Sequence, residues 1–170
     1  LDSLEMTAMI KGFEPLYIQR IAQLTNKSNQ FNLATLRCSE DDIRAMAGDK
    51  NDLCLCGKLV DKFGDNGIVT VVAGRQQGDV LDLTLWLMSC RVLKRGMEDA
   101  MMDTLMAQAA AAGVKTVVGH YYPTAKNAMV RDFYAQFGFA KTAEDAEGNT
   151  EWRLEVSGYE PKHPHMKIER

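Results

Sequence analysis

The 170-residue chain predicts a mixed α/β domain, a mixed sheet with helices on both faces. Three observations carry that expectation. An apolar strand at 81–88 runs into a helix at 96–112 and then a strand at 115–122, which makes a parallel pair with a right-handed crossover. Upstream, extended runs at 53–62 and 68–73 flank Phe63-Gly64-Asp65-Asn66-Gly67, where Asn-Gly is a strong hairpin signal, so the strands before the crossover form an antiparallel meander. Downstream, Trp152, Leu154 and Val156 alternate in a last strand after the turn at Glu147-Gly148-Asn149.

Each element has a local reason. Leu16, Tyr17, Ile21 and Leu24 recur at helical spacing within 14–28, with Pro15 at the first turn. An amide-rich stretch follows, with Asn26, Asn29, Gln30 and Asn32 around Phe31. Ser39 and the acids after it start a short helix through Ala47. Leu81, Leu83, Leu85 and Leu87 alternate with Asp82, Thr84, Trp86 and Met88, which reads as a strand with one deeply buried face. Met97, Ala100, Met101, Leu105, Ala109 and Ala112 share one helix face that stops at Gly113. Asn127 caps a further helix running to Gln136, and the tail from Glu160 is irregular. Residues 1–38 read as a helical or linker segment, 39–158 as the core and 159–170 as a tail.

Composition narrows the function classes. A formal charge of −3 gives no general reason to expect nucleic acid. No apolar run approaches the roughly 20 residues of a membrane span, and no basic-then-apolar leader opens the chain. Cys54 and Cys56 flank one strand residue and share a face, a geometry that suits neither a mutual disulfide nor a zinc knuckle. Cys38, Cys54 and Cys56 therefore read as small buried hydrophobes in a reducing compartment, by default the cytoplasm, with no metal.

Residues 89–99 carry the chemistry. A helix start exposes unpaired N–H groups and the positive end of the dipole, which favours anions. Cys90 precedes Arg91, with Lys94, Arg95 and Gly96 close behind. That setting lowers a thiol pKa and holds a phosphate or oxyanion, so Cys90 reads as a nucleophile, against the alternative of a buried thiol at a strand end. A parallel pair places ligands at the carboxyl ends of its strands, where Cys90 and His120 lie. His120 is a candidate base, or a strand histidine with a satisfied hydrogen bond. His163 and His165 read as solvated tail residues.

The block Asn127-Ala-Met-Val-Arg-Asp-Phe-Tyr134-Ala-Gln-Phe-Gly138-Phe139 resembles the Tyr-x-x-x-Gly-Phe-like signature of the GCN5-related N-acetyltransferase (GNAT) fold. The resemblance implies that fold, with Tyr134 protonating a leaving thiolate and Arg91, Lys94, Arg95, Gly96 and Asn127 contacting the cofactor. The other signature, Gln/Arg-x-x-Gly-x-Gly/Ala, is damaged here, where Leu93-Lys-Arg-Gly96-Met-Glu98 stands in its place. Glu98 puts a carboxylate where a pyrophosphate would bind, so a phosphopantetheine arm suits the turn better than CoA.

Residues 20–33, 61–67, 86–96 and 122–127 resemble, in that order, the C-terminal half of FkbH-like proteins. Those join a haloacid-dehalogenase (HAD) subfamily IIIC phosphatase-like domain to an acyltransferase-like domain, and the start at Leu1 resembles the segment just after the former. The resemblance implies that a glyceryl unit from 1,3-bisphosphoglycerate is taken onto Cys90 and passed to the pantetheine thiol of an acyl carrier protein, in secondary-metabolite biosynthesis. It sets Asp65 beside the thiol as an orienting group, and Asn66, Asn29 and Asn32 against the glyceryl hydroxyls; turn and cap chemistry is the competing explanation of all four. It names the carrier protein and the upstream phosphatase-like domain as partners. The alternatives are a conventional acetyl-CoA-dependent N-acetyltransferase and a non-catalytic carrier-docking module.

Overall fold

The computed structural model describes residues 6–89 and 96–170. The elements in chain order are β1 (Thr7–Lys11), α1 (Ile18–Lys27), α2 (Glu40–Gly48), β2 (Asp52–Asp61), β3 (Gly64–Gln77), β4 (Val80–Met88), α3 (Met97–Ala111), β5 (Thr116–Tyr121), β6 (Ala140–Glu144), β7 (Thr150–Glu155) and β8 (Lys167–Glu169). The strands form one eight-stranded sheet, ordered β6-β7-β5-β4-β3-β2-β1-β8. Strands β2, β3 and β4 are the expected antiparallel meander, and β4 pairs with β5 in parallel across the α3 crossover.

Each face of the sheet has its own core. Ile18, Ile21 and Leu24 of α1 and Ile43 of α2 pack on Val71, Leu85 and Leu87. On the other face Met97, Ala100, Met101, Leu105 and Ala109 of α3 pack on Leu81, Leu83, Trp86 and Met88. Ser39 starts α2 with a capping box: its Oγ accepts from the Asp42 N–H, and the Asp42 carboxylate accepts from the Ser39 N–H.

Four local expectations are corrected. The tight turn between β2 and β3 falls at Lys62-Phe63, and Asn66-Gly67 lies inside β3, where Asn66 Nδ2 donates to the Leu59 carbonyl at 3.0 Å. The four leucines of β4 do not share a face. Ala73 pairs with Leu85 and Gly74 with Leu83, so Thr84 is an extra residue in a bulge that sends Leu81 and Leu83 to the α3 side and Leu85 and Leu87 to the α1 side. Gly74 permits the bulge, because a Cβ there would lie 2.9 Å from Leu81 Cδ1 and 3.0 Å from Leu83 Cδ2.

In place of a helix over 127–136 the chain makes two 3₁₀ turns, Ala128–Val130 and Tyr134–Phe137. Three residues per turn eclipse Val130 and Phe133, and both are buried in the aromatic layer on the sheet. The tail is not irregular throughout. Asp103 of α3 accepts hydrogen bonds from the Tyr159 hydroxyl and from the backbone N–H groups of Lys162 and His163, and the chain then adds β8 parallel to β1. This strap covers α3, which is why that helix is buried on more than one face. The sheet thus draws strands from residues 7–11 and 167–169 as well as from the central stretch. No helix among the described residues is long and apolar enough to cross a membrane.

Candidate active site

The β4–β5 ladder is short. It runs from Val80↔Thr116 to Asp82↔Val118 and stops, two residues before the bulge at Thr84. Beyond that point the strands part, and residues 31–33 lie between them. The Leu33 N–H donates to the Trp86 carbonyl and the Met88 N–H to the Phe31 carbonyl, both at 3.0 Å, while the Tyr122 N–H donates to the Leu33 carbonyl at 2.9 Å. The amide-rich stretch therefore acts as a short inserted strand that satisfies backbone groups which the parting would orphan.

Asn127 locks this insert. It is fully buried; its Nδ2 donates to the Asn32 and Tyr122 carbonyls, each at 2.9 Å, and its Oδ1 accepts from the Thr124 N–H at 2.7 Å. Its side chain does not cap the turn that follows, and its polar groups are spent inside the protein. Asn32 is also spent: Nδ2 donates to the Ser28 carbonyl and Oδ1 accepts from the Thr35 N–H. Asn29 accepts from Arg37 at 2.9 Å.

His120 stands where the strands part. Its Nε2 lies 2.5 Å from Asp82 Oδ1, and its ring stacks on Tyr122 with 5.9 Å between centroids. A carboxylate can only accept, so Nε2 is the donor in this contact, and in the neutral ring Nδ1 is then the acceptor that a general base needs. The His120 side chain is 20 % exposed, enough for an acceptor group to reach it. Asp82 was missed in the sequence because strand alternation explains an aspartate between leucines as a solvent-facing residue.

Tyr134 lies on the opposite face of β5, its ring flat over Gly119, where an added Cβ would sit 2.4 Å from Cζ. Burial first, then the negative charge of Asp82, push its hydroxyl far above the usual phenol range. It stays a neutral O–H donor at any physiological pH. Trp86 beside it has its Nε1 buried with no hydrogen-bond partner among the described residues.

Two clefts flank the parting. One, of about 690 Å³, opens at the end of β4 and is lined by Arg20, Lys27, Lys126, Asn29, Gln30 and Ser89 among others. The other, of about 350 Å³, lies between the start of α3 and the 3₁₀ turns and is lined by Glu98, Asp99, Phe31, Met129, Phe133 and Gln136. Gly96 caps α3 with φ +88°, and Pro164 and Met166 of the strap pack on it. Glu98 and Asp99 stand in the first turn of α3, where a carboxylate competes with a bound anion.

Cys90, Arg91, Lys94 and Arg95 lie outside the described residues. Ser89, the last described residue before them, donates its N–H to the Val69 carbonyl and so fixes where the chain leaves β4. Asp65 lies further along β3, where it accepts from the Gly67 N–H at 2.7 Å and from Lys58 at 3.0 Å. Those two partners, the backbone first, hold its carboxyl below the usual range. The other cysteines are inert by environment: burial raises the Cys38 thiol, and burial pushes those of Cys54 and Cys56 up to about 12. No group of three or more His, Cys, Asp or Glu among the described residues is placed to hold a metal.

No protein-family model matches the chain, and no curated protein matches it in sequence. Solved structures do match it in fold. The ribosomal-protein-S18-alanine N-acetyltransferase from Escherichia coli superposes with a TM-score of 0.66 at 14% identity, covering 88% of this chain and 94% of its own. The GNAT domain of S. lividans PAT gives 0.65 at 14% identity over 86% of this chain and 89% of its own. Spermidine N-acetyltransferase from Vibrio cholerae, solved with CoA and spermine, gives 0.64 at 9% identity over 88% and 96%. The eight-stranded mixed sheet with its parted parallel pair has the fold of the GNAT acetyltransferases.

Proposed function

We propose that this chain is an acyltransferase working where β4 and β5 part. The observation that carries the proposal is the His120–Asp82 pair at that point, an imidazole joined to a carboxylate and partly open to solvent. An acceptor amine or thiol gives its proton to His120 Nδ1 and attacks the acyl carbonyl. The new N–C or S–C bond forms as the bond to the donor's leaving group breaks, and the leaving thiolate takes up a proton, a step that the GNAT resemblance gives to Tyr134 although its ring is buried on the other face of β5. Asp82 stabilises the imidazolium that results.

Two finer readings remain, each supported by a different observation. N-acetyl transfer from acetyl-CoA is supported by the structural neighbours, which include N-acetyltransferases, one of them solved with CoA and spermine. Transfer of a glyceryl unit through Cys90 to a carrier-protein pantetheine is supported by the sequence blocks around Cys90 and by Glu98, a carboxylate in the first turn of α3 that competes with a pyrophosphate there. Under this reading the N-terminal phosphatase-like domain would be a partner in the same polypeptide.

Intact-protein mass spectrometry separates them. The full chain is incubated with acetyl-CoA and an amine, or with 1,3-bisphosphoglycerate and a carrier protein. A glyceryl adduct lost in Cys90→Ala supports the second reading. Acetyl transfer kept in Cys90→Ala supports the first. Acylation of no acceptor from either donor overturns acyl transfer.

A further inference from the structure

We infer that the cleft at the end of β4 is a phosphate subsite, formed by Arg20 and Lys27 of α1 and Lys126 of the loop after β5. Those residues come from parts of the chain that are about 100 positions apart in sequence yet line one cavity of about 690 Å³, a volume within the usual range for a small-ligand site.

The charge pattern supports an anionic occupant. The chain as a whole is net negative, yet residues 15–39 contain Arg20, Lys27 and Arg37 with no Asp or Glu, and residues 121–131 contain Lys126 and Arg131 with none. No carboxylate lines the cleft among the described residues. The neighbouring cleft at the start of α3 has Glu98 and Asp99, and no cation, among the described residues of its lining.

The carboxyl end of α1 would oppose an anion here, and side-chain donors partly offset it. Lys27 and Ser28 stand at the carboxyl end of α1, the negative end of its dipole. Arg37 donates to the Thr25 and Ser28 carbonyls, the latter at 2.8 Å, and Asn32 Nδ2 donates to the Ser28 carbonyl at 3.0 Å. Two of the carbonyls at this helix end are thus engaged, and Asn29, Gln30 and Ser89 line the same cavity. Lysine ammonium and arginine guanidinium groups on a phosphate make the stronger, charge-assisted kind of hydrogen bond.

The ligand is a phosphate ester, carried either by a small phosphorylated acid or by a pantetheine arm. This goes beyond the acyl-transfer reading and is tested apart from it, because the readout is binding. The full chain, labelled with ¹⁵N, is titrated with inorganic phosphate and, at matched ionic strength, with chloride. Saturable shifts are expected at residues 28–30, Ser89 and Lys126 with phosphate only. Lys27→Ala and Lys126→Ala should each weaken binding about five- to tenfold, and added salt should weaken it further. Both lysines are exposed, so neither change threatens the fold. Titration with 3-phosphoglycerate and with pantetheine 4′-phosphate then tells which carrier of the phosphate binds more tightly. Shifts equal in chloride, or binding unchanged in both lysine variants, would overturn the subsite. So would binding lost only on substitution of Arg91, Lys94 and Arg95. Saturable phosphate binding in a protein that transfers no acyl group would leave the subsite standing and remove the acyl-transfer reading instead.

Discussion

Asn127 Nδ2 donates to the Asn32 carbonyl at 2.9 Å, joining residues 95 positions apart and fastening the insert that fills the gap between β4 and β5. The same amide holds the Tyr122 carbonyl. Asn127→Ala removes both donors and strands two carbonyls at the centre of the site. It is expected to cost about 2–4 kcal/mol, read by denaturant unfolding. Asn127→Asp should be similarly damaging, since a carboxylate cannot donate. A loss below about 0.5 kcal/mol in both variants would mean that the insert is held by its backbone bonds alone.

Tyr134 and Gly119 give a second test. The ring covers the glycine so closely that Gly119→Ala must displace it, with an expected loss of about 1–3 kcal/mol. Tyr134→Phe keeps the ring and removes only the hydroxyl. It should hold stability to within about 1 kcal/mol while lowering transfer from a thioester donor. Wild-type transfer in Tyr134→Phe would assign the tyrosine to packing only.

The thiols set an alkaline limit. Cys54 and Cys56 have folded pKa values pushed to about 12 by burial, against an ordinary value of 9.0. A raised folded pKa means stability that is complete below pH 9 and lost as pH rises from 9 toward 12, because only the unfolded thiols ionise in that window. Thermal melts across pH 8–11 should show the decline, and Cys56→Ala should flatten it. In the native state at pH 8 these thiols, with Cys38, should react slowly with a thiol reagent, so that any fast reaction maps to Cys90. Fast labelling of Cys54 or Cys56 would contradict their burial.

Sequence pattern revealed the meander, the crossover and α1 to α3, because each has a strong period or a cap of its own. It did not reveal the bulge at Thr84, since an alternating Leu-x-Leu-x run looks identical whether or not one residue is extra. Nor did it reveal β1 and β8, short strands whose place is set by pairing with β2 and with each other. The 3₁₀ turns over 128–137 follow from aromatic packing on the sheet, which overrides helical spacing. At the site, His120 was visible as a chemical type, but its partner Asp82 is brought alongside only by the parallel register of β4 and β5. The cations of α1 and of the 122–127 loop sit in stretches free of acids, a signal present in the sequence but meaningful only once the two segments meet. For Asn32 and Asn127 the sequence leaves ligand contact and local hydrogen bonding both open, and the fold adds internal ties from each side chain that only the assembled insert reveals.

The central claim is that an imidazole held by Asp82 moves the proton in acyl transfer at the parting of the strands. The direct measurement is the pH–rate profile of acyl transfer, from whichever donor acylates an acceptor, in the native protein and in His120→Gln and Asp82→Asn. The account predicts a loss of about a hundredfold or more in His120→Gln and a smaller loss of rate in Asp82→Asn, both variants melting near the native temperature. Native rates and an unchanged profile in both would contradict it.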